Sequence, residues 1–196
     1  MDFQIFKPAD YNISKWTGGT STQLYIYPEG SSYKKQNFLF RISTAKVEQK
    51  FSVFTSLPGV MRKLMILDGS ITINHKEEYS KTLEKFDTDS FKGDWHTTSE
   101  GTCIDFNLMT TGSYTGDISF LVIKKNCSFN YRIAEKIKYL FIFVNAGELN
   151  IVLNDKTYYL EKDYLLKIST NKNISLYFFS AIDTELVITE IYKSPK

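Results

Sequence analysis

The chain is short of the residues on which several kinds of chemistry depend. Its 196 residues include 2 Cys and 2 His, too few for a disulfide framework or for a conventional multi-ligand metal site. Cys103 and Cys127 read as reduced, buried small hydrophobes. With 4 Pro and 10 Gly, the composition is neither collagen-like nor that of a flexible linker. Neither sign of charge dominates, since 24 Lys+Arg face 22 Asp+Glu for a formal net charge of +2. The densest basic runs, Lys34-Lys35 and Lys124-Lys125, read as solvated loop charges, and no nucleic-acid partner is expected. The longest apolar run, Tyr139 to Val144, falls far short of the ~20 residues that cross a bilayer, so no membrane partner is expected either. Met1 to Lys7 has neither a basic leader nor an apolar segment, which makes a cytoplasmic location the expectation.

What the chain does have is aromatic bulk, with 15 Phe and 13 Tyr, which suits half-buried pleated surfaces. Apolar alternation recurs from end to end, for example Leu24, Ile26; Phe38, Phe40, Ile42; Leu64, Ile66; Ile71, Ile73; Ile104, Phe106, Leu108; and Leu186, Ile188. These read as strands. Tight reversals are expected at Pro28-Glu29-Gly30, Pro58-Gly59, Asp68-Gly69, Thr111-Gly112, Ala146-Gly147 and Asn154-Asp155, which predicts an all-β sandwich or barrel. The stretches Tyr79 to Leu83 and Tyr131 to Lys136 are the candidates for a helical turn.

The chain also repeats a pattern. Leu64 to Ile73 and Leu140 to Ile151 share a strand, glycine, strand sequence, and Leu83-Glu84-Lys85 recurs as Leu160-Glu161-Lys162. Two such β units, residues 1–112 and 113–196, are the expected organisation; the alternative is chance similarity between hairpins of one larger sandwich.

Several segments of the first half resemble the HutD/Ves family of the cupin superfamily. They are Trp16-Thr17-Gly18-Gly19-Thr20-Ser21-Thr22-Gln23-Leu24, Phe40 to Ala45, Phe51 to Phe54, Pro58 to Arg62, Leu67-Asp68-Gly69, Phe91 to Trp95 and Asp105 to Met109. The resemblance implies a bicupin: two tandem β-barrels of the RmlC-like, germin-like type. Gln23 stands where the family usually has an acid, and Phe40 where it usually has a Trp.

Metal comes first among the chemistries to test, because most cupin enzymes hold one with histidines and a glutamate. Where His-x-His usually sits, this chain reads Phe51-Ser52-Val53-Phe54-Thr55. His96 falls where the second cupin motif would place its histidine, and His75, beside a turn at Asn74, reads as a surface residue. One imidazole does not assemble a site, so no metal and no other cofactor is expected. Neither a nucleophile elbow nor a phosphate-binding glycine loop is present.

An anion-binding interior is the remaining candidate. Alternation puts Arg41 and Ser43 on one face of their strand, and Cys103, Asp105 and Asn107 on one face of theirs. If those faces point inward, Arg41, Arg62, Asp105, Asn107, Ser43 and the hydroxyls of Thr20 and Thr22 converge, with Trp16 and Trp95 as walls. A guanidinium matches a carboxylate with two parallel charge-assisted bonds. The competing reading is a structural ion pair between Arg41 and Asp105.

The family resemblance implies a link to histidine utilisation. The leading expectation is a metal-free protein that senses a small organic acid without transforming it, with homodimerisation to be tested. One alternative is a metal-independent isomerase or lyase in which Asp105 or His96 moves a proton. Another is an interaction scaffold presenting Tyr158, Tyr159 and Tyr177.

Overall fold

Alternating apolar and polar side chains produce strands along nearly the whole chain. The computed structural model describes residues 2–153 and 156–194. In chain order the strands are β1 (Asp2–Phe6), β2 (Asn12–Trp16), β3 (Gly19–Tyr27), β4 (Phe40–Val47), β5 (Phe51–Val53), β6 (Val60–His75), β7 (Tyr79–Leu83), β8 (Thr88–Lys92) and β9 (Thr97–Thr111). They continue as β10 (Tyr114–Ile123), β11 (Cys127–Ile133), β12 (Ile137–Ala146), β13 (Glu148–Leu153), β14 (Lys156–Glu161), β15 (Leu165–Ser169), β16 (Ile174–Ser180) and β17 (Thr184–Lys193). Among the described residues the helical content is one 3-10 turn, Pro8–Asp10, closed by the Lys7 N–H donating to Asp10 Oδ2 at 2.8 Å. The two stretches expected to turn helically are strand instead: Tyr79–Leu83 is β7, and residues 131–133 finish β11. Among the described residues no helix is long and apolar enough to cross a membrane.

The chain divides into two compact units, residues 11–115 and residues 2–10 with 116–193. The opening segment, expected with the first unit, therefore belongs to the second. Its strand β1 pairs antiparallel with β15, Phe3 opposite Ile168 and Ile5 opposite Leu166, and burial decides where a lone amphipathic strand docks.

In the 11–115 unit, β6 and β9 are 16 and 15 residues long and pair along their length. The first half of β6 carries β8 and the second half β7. The second half of β9 carries β4, followed by β3 and β2, while its first part carries β5. Two layers thus share one long strand pair. The chain does not reverse at Asp68-Gly69 as expected. A register shift between Ile66 and Asp68 and a positive φ of 79° at Gly69 bend β6 from one layer into the other. A Cβ at Gly69 would lie 2.5 Å from the Thr102 carbonyl oxygen, so glycine is needed there.

The other unit has a five-stranded sheet, β1-β15-β12-β17-β10, and a four-stranded one, β11-β16-β13-β14. It repeats the same device. Gly147, with φ of 83°, follows a register shift between Val144 and Ala146. The Ile66 N–H donates to the Asp87 carbonyl and the Phe86 N–H to the Ile66 carbonyl, at 3.1 and 2.7 Å; Val144, Tyr164 and Asp163 make the matching pair at 3.1 and 2.8 Å. Among the described residues the pairings leave the sheets open-edged, so the first expected barrel is one folded-over sheet and the second a pair of sheets, neither of them a closed ring of hydrogen bonds. The expected turn at Asn154-Asp155 lies outside the described residues.

The interiors differ. The 116–193 unit packs one continuous cluster that includes Leu140, Ile142, Val144, Leu149, Ile151, Leu166, Ile168 and Ile188. In the 11–115 unit the clusters are smaller, among them one around Leu64, Ile66, Ile71 and Ile73 and another around Phe38, Leu57, Val60 and Met109. Cys103 and Cys127 are free thiols; Cys103 is buried as expected, but Cys127 is exposed at the start of β11.

Candidate functional site

Cross-strand register builds the site row by row. On β4, β9 and β6 the opposed triplets are Arg41, Met109, Arg62; then Ser43, Asn107, Leu64; then Ala45, Asp105, Ile66. Opposed residues share a face, so both arginines, Ser43, Asn107 and Asp105 point the same way. On β3, Ser21 lies opposite Ala45 and Gln23 opposite Ser43, and Ser14 of β2 lies opposite Ser21. These rows wall a cavity of about 220 Å³, completed by Trp16, Tyr33, Ser52 and Phe54. A Cβ at Gly18 would collide with the indole of Trp16, so that glycine lets the ring lie flat on the backbone beside the cavity.

The two arginines are held differently. The Arg41 Nε donates to Gln23 Oε1 at 3.0 Å and an Nη donates to Ser43 Oγ at 2.8 Å, while the guanidinium sits 4.6 Å from the Tyr33 ring centre. Arg62 lies between two rings, 4.8 Å from Phe54 and 5.2 Å from Phe91, and its Nε has no partner. Burial pushes both guanidinium pKa values down, and at Arg41 the neighbouring Arg62 charge adds to the effect. Both stay cationic, as arginine does in proteins.

Asp105 is 3 % exposed. It accepts from the Asn107 amide and the Ala45 backbone N–H. Burial pushes its carboxyl up to about 7, against the opposing pull of Arg62 and those two donors. Among the described residues no ion pair joins either arginine to Asp105, so the Arg41–Asp105 pair weighed from sequence does not form. Three polar atoms lining the cavity have no protein partner: Arg62 Nε, Asn107 Oδ1 and Ser52 Oγ. Buried polar groups are nearly always bonded, and these three share one hollow.

The residues expected from sequence divide into two groups. Arg41, Arg62, Ser43, Asp105, Asn107 and Trp16 line the cavity; Thr20, Thr22 and Trp95 do not. Thr20 and Thr22 pair with Lys46 and Thr44, the outward residues of β4, so the intervening Ser21 and Gln23 take the inner face. Trp95 packs instead against the rings of His75 and Tyr79, at 5.3 and 6.1 Å between centres. His75, expected at the surface, is 1 % exposed. Its Nδ1 pairs with Thr97 Oγ1 at 2.8 Å and its Nε2 with Asp89 Oδ2 at 3.0 Å; the Tyr79 hydroxyl donates to Asp89 Oδ1 at 2.7 Å. The alternation Ile71, Ile73, His75 carried that signal. His96 is exposed.

Two guanidiniums and one carboxyl do not fit the metal of the cupin enzymes, which needs several neutral or anionic donors. Among the described residues no three His, Cys, Asp or Glu side chains cluster as a metal site. The arrangement is suited to holding an anion.

No curated sequence matches the chain. Among solved structures, a conserved protein of unknown function from Pseudomonas aeruginosa PAO1 superposes with a TM-score of 0.86 at 17% identity, covering 98% of this chain and 100% of its own. HutD from Pseudomonas fluorescens SBW25 gives 0.76 at 16%, covering 99% and 100%. The oxalate decarboxylase of Lactobacillus farciminis, in a formate complex, gives 0.72 at 8%, covering 98% and 86%, and carries the cupin fold across to this chain. The HutD family model matches residues 8–182, most of both units. On that match, the chain belongs to the HutD family.

Proposed function

We propose that the 11–115 unit binds a small carboxylate and holds it without chemical change, in a sensing or regulatory role within histidine utilisation. The observation that carries this reading is Arg62, a buried guanidinium with an unbonded Nε, facing the same hollow as Arg41. A cation so placed gains a charge-assisted partner when an anion enters, and the aromatic rings of Phe54, Phe91 and Tyr33 fix the forks beforehand. Trp16 supplies an apolar wall for the rest of the molecule. The P. fluorescens HutD structure comes from a formate condition, and formate is the smallest carboxylate. Isothermal titration with a panel of small carboxylates tests the reading: at least one acid binds, and Arg62→Met or Arg41→Ala weakens that binding at least about tenfold. No heat with any acid would reject it.

A second reading is proton transfer on a bound acid, favoured by one observation: Asp105 is buried and titrates near neutrality, as a general acid or base requires. His96, exposed and outside the cavity lining, takes no part in that reading. Deuterium wash-in to a bound acid, lost in Asp105→Asn, separates catalysis from passive binding.

A further inference from the structure

The cavity holds three formal charges in view of one another. Arg41 and Arg62 stand at the two ends of one cross-strand row, with Met109 between them. Asp105 lies two rows along on β9, the strand to which Met109 belongs. With Asp105 ionised the site carries one net positive charge; with Asp105 protonated it carries two. Arg41, Arg62 and Asp105 are all buried, and uncompensated buried charge is costly, so the bound state nearest neutrality is favoured.

Building on the carboxylate reading above, we infer that Asp105 sets the charge class of the ligand: ionised, it admits a monocarboxylate; protonated, it admits a dicarboxylate. The neighbouring groups leave this role to Asp105. On its own strand, Cys103 is a neutral thiol pushed up to about 12 by burial, and Asn107 carries no charge. From β4 come Arg41 and the Ala45 N–H, and from β6 comes Arg62. The Tyr33 ring covers Arg41. The other buried acid near β6, Asp89, is occupied by His75 and Tyr79. A carboxyl whose burial lifts it to about 7 changes charge within the ordinary working range of pH.

The proton balance is simple. Above neutrality a dicarboxylate enters with uptake of one proton from solvent onto a carboxylate oxygen of Asp105, and the proton returns to solvent when the acid leaves. A monocarboxylate enters an already ionised site with little uptake. No bond to carbon is made or broken.

Succinate and butyrate, which share a four-carbon skeleton and differ by one carboxylate, are the probes. In the wild-type full chain, with Asp105 titrating at about 7, succinate is expected to bind about 20-fold more weakly at pH 8.5 than at pH 6.5, and butyrate about fourfold more tightly. Titration at pH 8 in buffers of different ionisation enthalpy is expected to show about one proton taken up per succinate and far less per butyrate. Asp105→Asn, equal in size and uncharged, is expected to remove the pH dependence for succinate. Equal pH dependence for the two acids, none for either, or succinate dependence surviving in Asp105→Asn overturns the inference and leaves carboxylate binding intact. Binding of butyrate alone at both pH values also overturns it. Failure of both acids, and of the wider panel, rejects carboxylate binding itself and the inference with it.

Discussion

The two units use one local device, a register shift followed by a left-handed glycine, yet their interiors are opposites. In the 116–193 unit, the rows across β15, β12 and β17 read Ile168, Leu140, Glu190 and then Leu166, Ile142, Ile188. Glu190 is the one polar residue in these two rows, and it accepts from the Tyr131 hydroxyl at 2.6 Å. In the 11–115 unit, the rows across β4, β9 and β6 hold two arginines, an aspartate, an asparagine and a serine. The backbone is therefore not what makes a hollow. Branched aliphatics interlock and exclude water, whereas fixed guanidiniums and carboxyls keep a gap that only a partner of complementary charge fills. The comparison predicts that the aliphatic interior governs stability and the polar one governs binding and pH response.

The largest effect tests that split through pH. Asp105 sits at about 7 in the folded protein, above its ordinary unfolded value of about 4. The folded state thus keeps a proton that the unfolded chain has released. The associated stability is fully present below about pH 4 and is lost as pH rises through about 7. The loss amounts to about 4 kcal/mol. Asp105→Asn is expected to remove this contribution, becoming more stable than the wild type at pH 8 but not at pH 4, by denaturant titration at both values. Parallel pH profiles for the two proteins would show that the buried carboxyl does not titrate as described.

Next in size is the aliphatic interior. Ile142, 0 % exposed, packs within the continuous cluster, and Ile142→Ala is expected to cost about 3 kcal/mol through lost burial and a residual cavity. Carboxylate affinity of the folded protein is expected to stay within about twofold, because the site belongs to the other unit. The converse substitution is Arg62→Met. It removes a buried cation without a bonded Nε, so stability is expected to hold or rise by about 1 kcal/mol, while affinity falls by about 10- to 100-fold with the lost charge-assisted bonds. A large loss of stability in Arg62→Met would make that arginine a structural element and erase the contrast.

How much of this was legible in the chain depended on the strand. In Phe40 to Ser43 and Ile104 to Leu108 apolar and polar residues alternate, so the sequence itself put Arg41 and Ser43, and likewise Asp105 and Asn107, on shared faces. Residues 19–23 of β3 are glycine and small polar residues, so nothing in their composition distinguishes the two faces, and the β4 register alone turns Ser21 and Gln23 inward. Ser52 was hidden by an inverted pattern: Phe51 and Val53 on either side of it are 54% and 59% exposed, so hydrophobicity pointed the wrong way. Tyr33 reaches the cavity from a connecting segment, where strand periodicity says nothing. The docking of β1 on β15 joins residues from opposite ends of the chain, beyond any local signal.

The smallest expected effect is also the most direct test of that register. Ser21 and Thr22 are adjacent hydroxyls on one strand, indistinguishable by composition, and a one-residue slip exchanges their faces. With Ser21 opposite Ala45 on the cavity side, Ser21→Val adds bulk and removes a hydroxyl there, so affinity for a bound carboxylate is expected to fall by about fivefold, the worth of one hydrogen bond. With Thr22 opposite Thr44 on the outer side, Thr22→Val, which changes a hydroxyl to a methyl at constant shape, is expected to move affinity by less than about twofold. The reverse ranking would mean that β3 is shifted by one residue against β4. It would also detach Gln23 from Arg41, leaving that guanidinium free to turn towards Asp105 and close the hollow on itself.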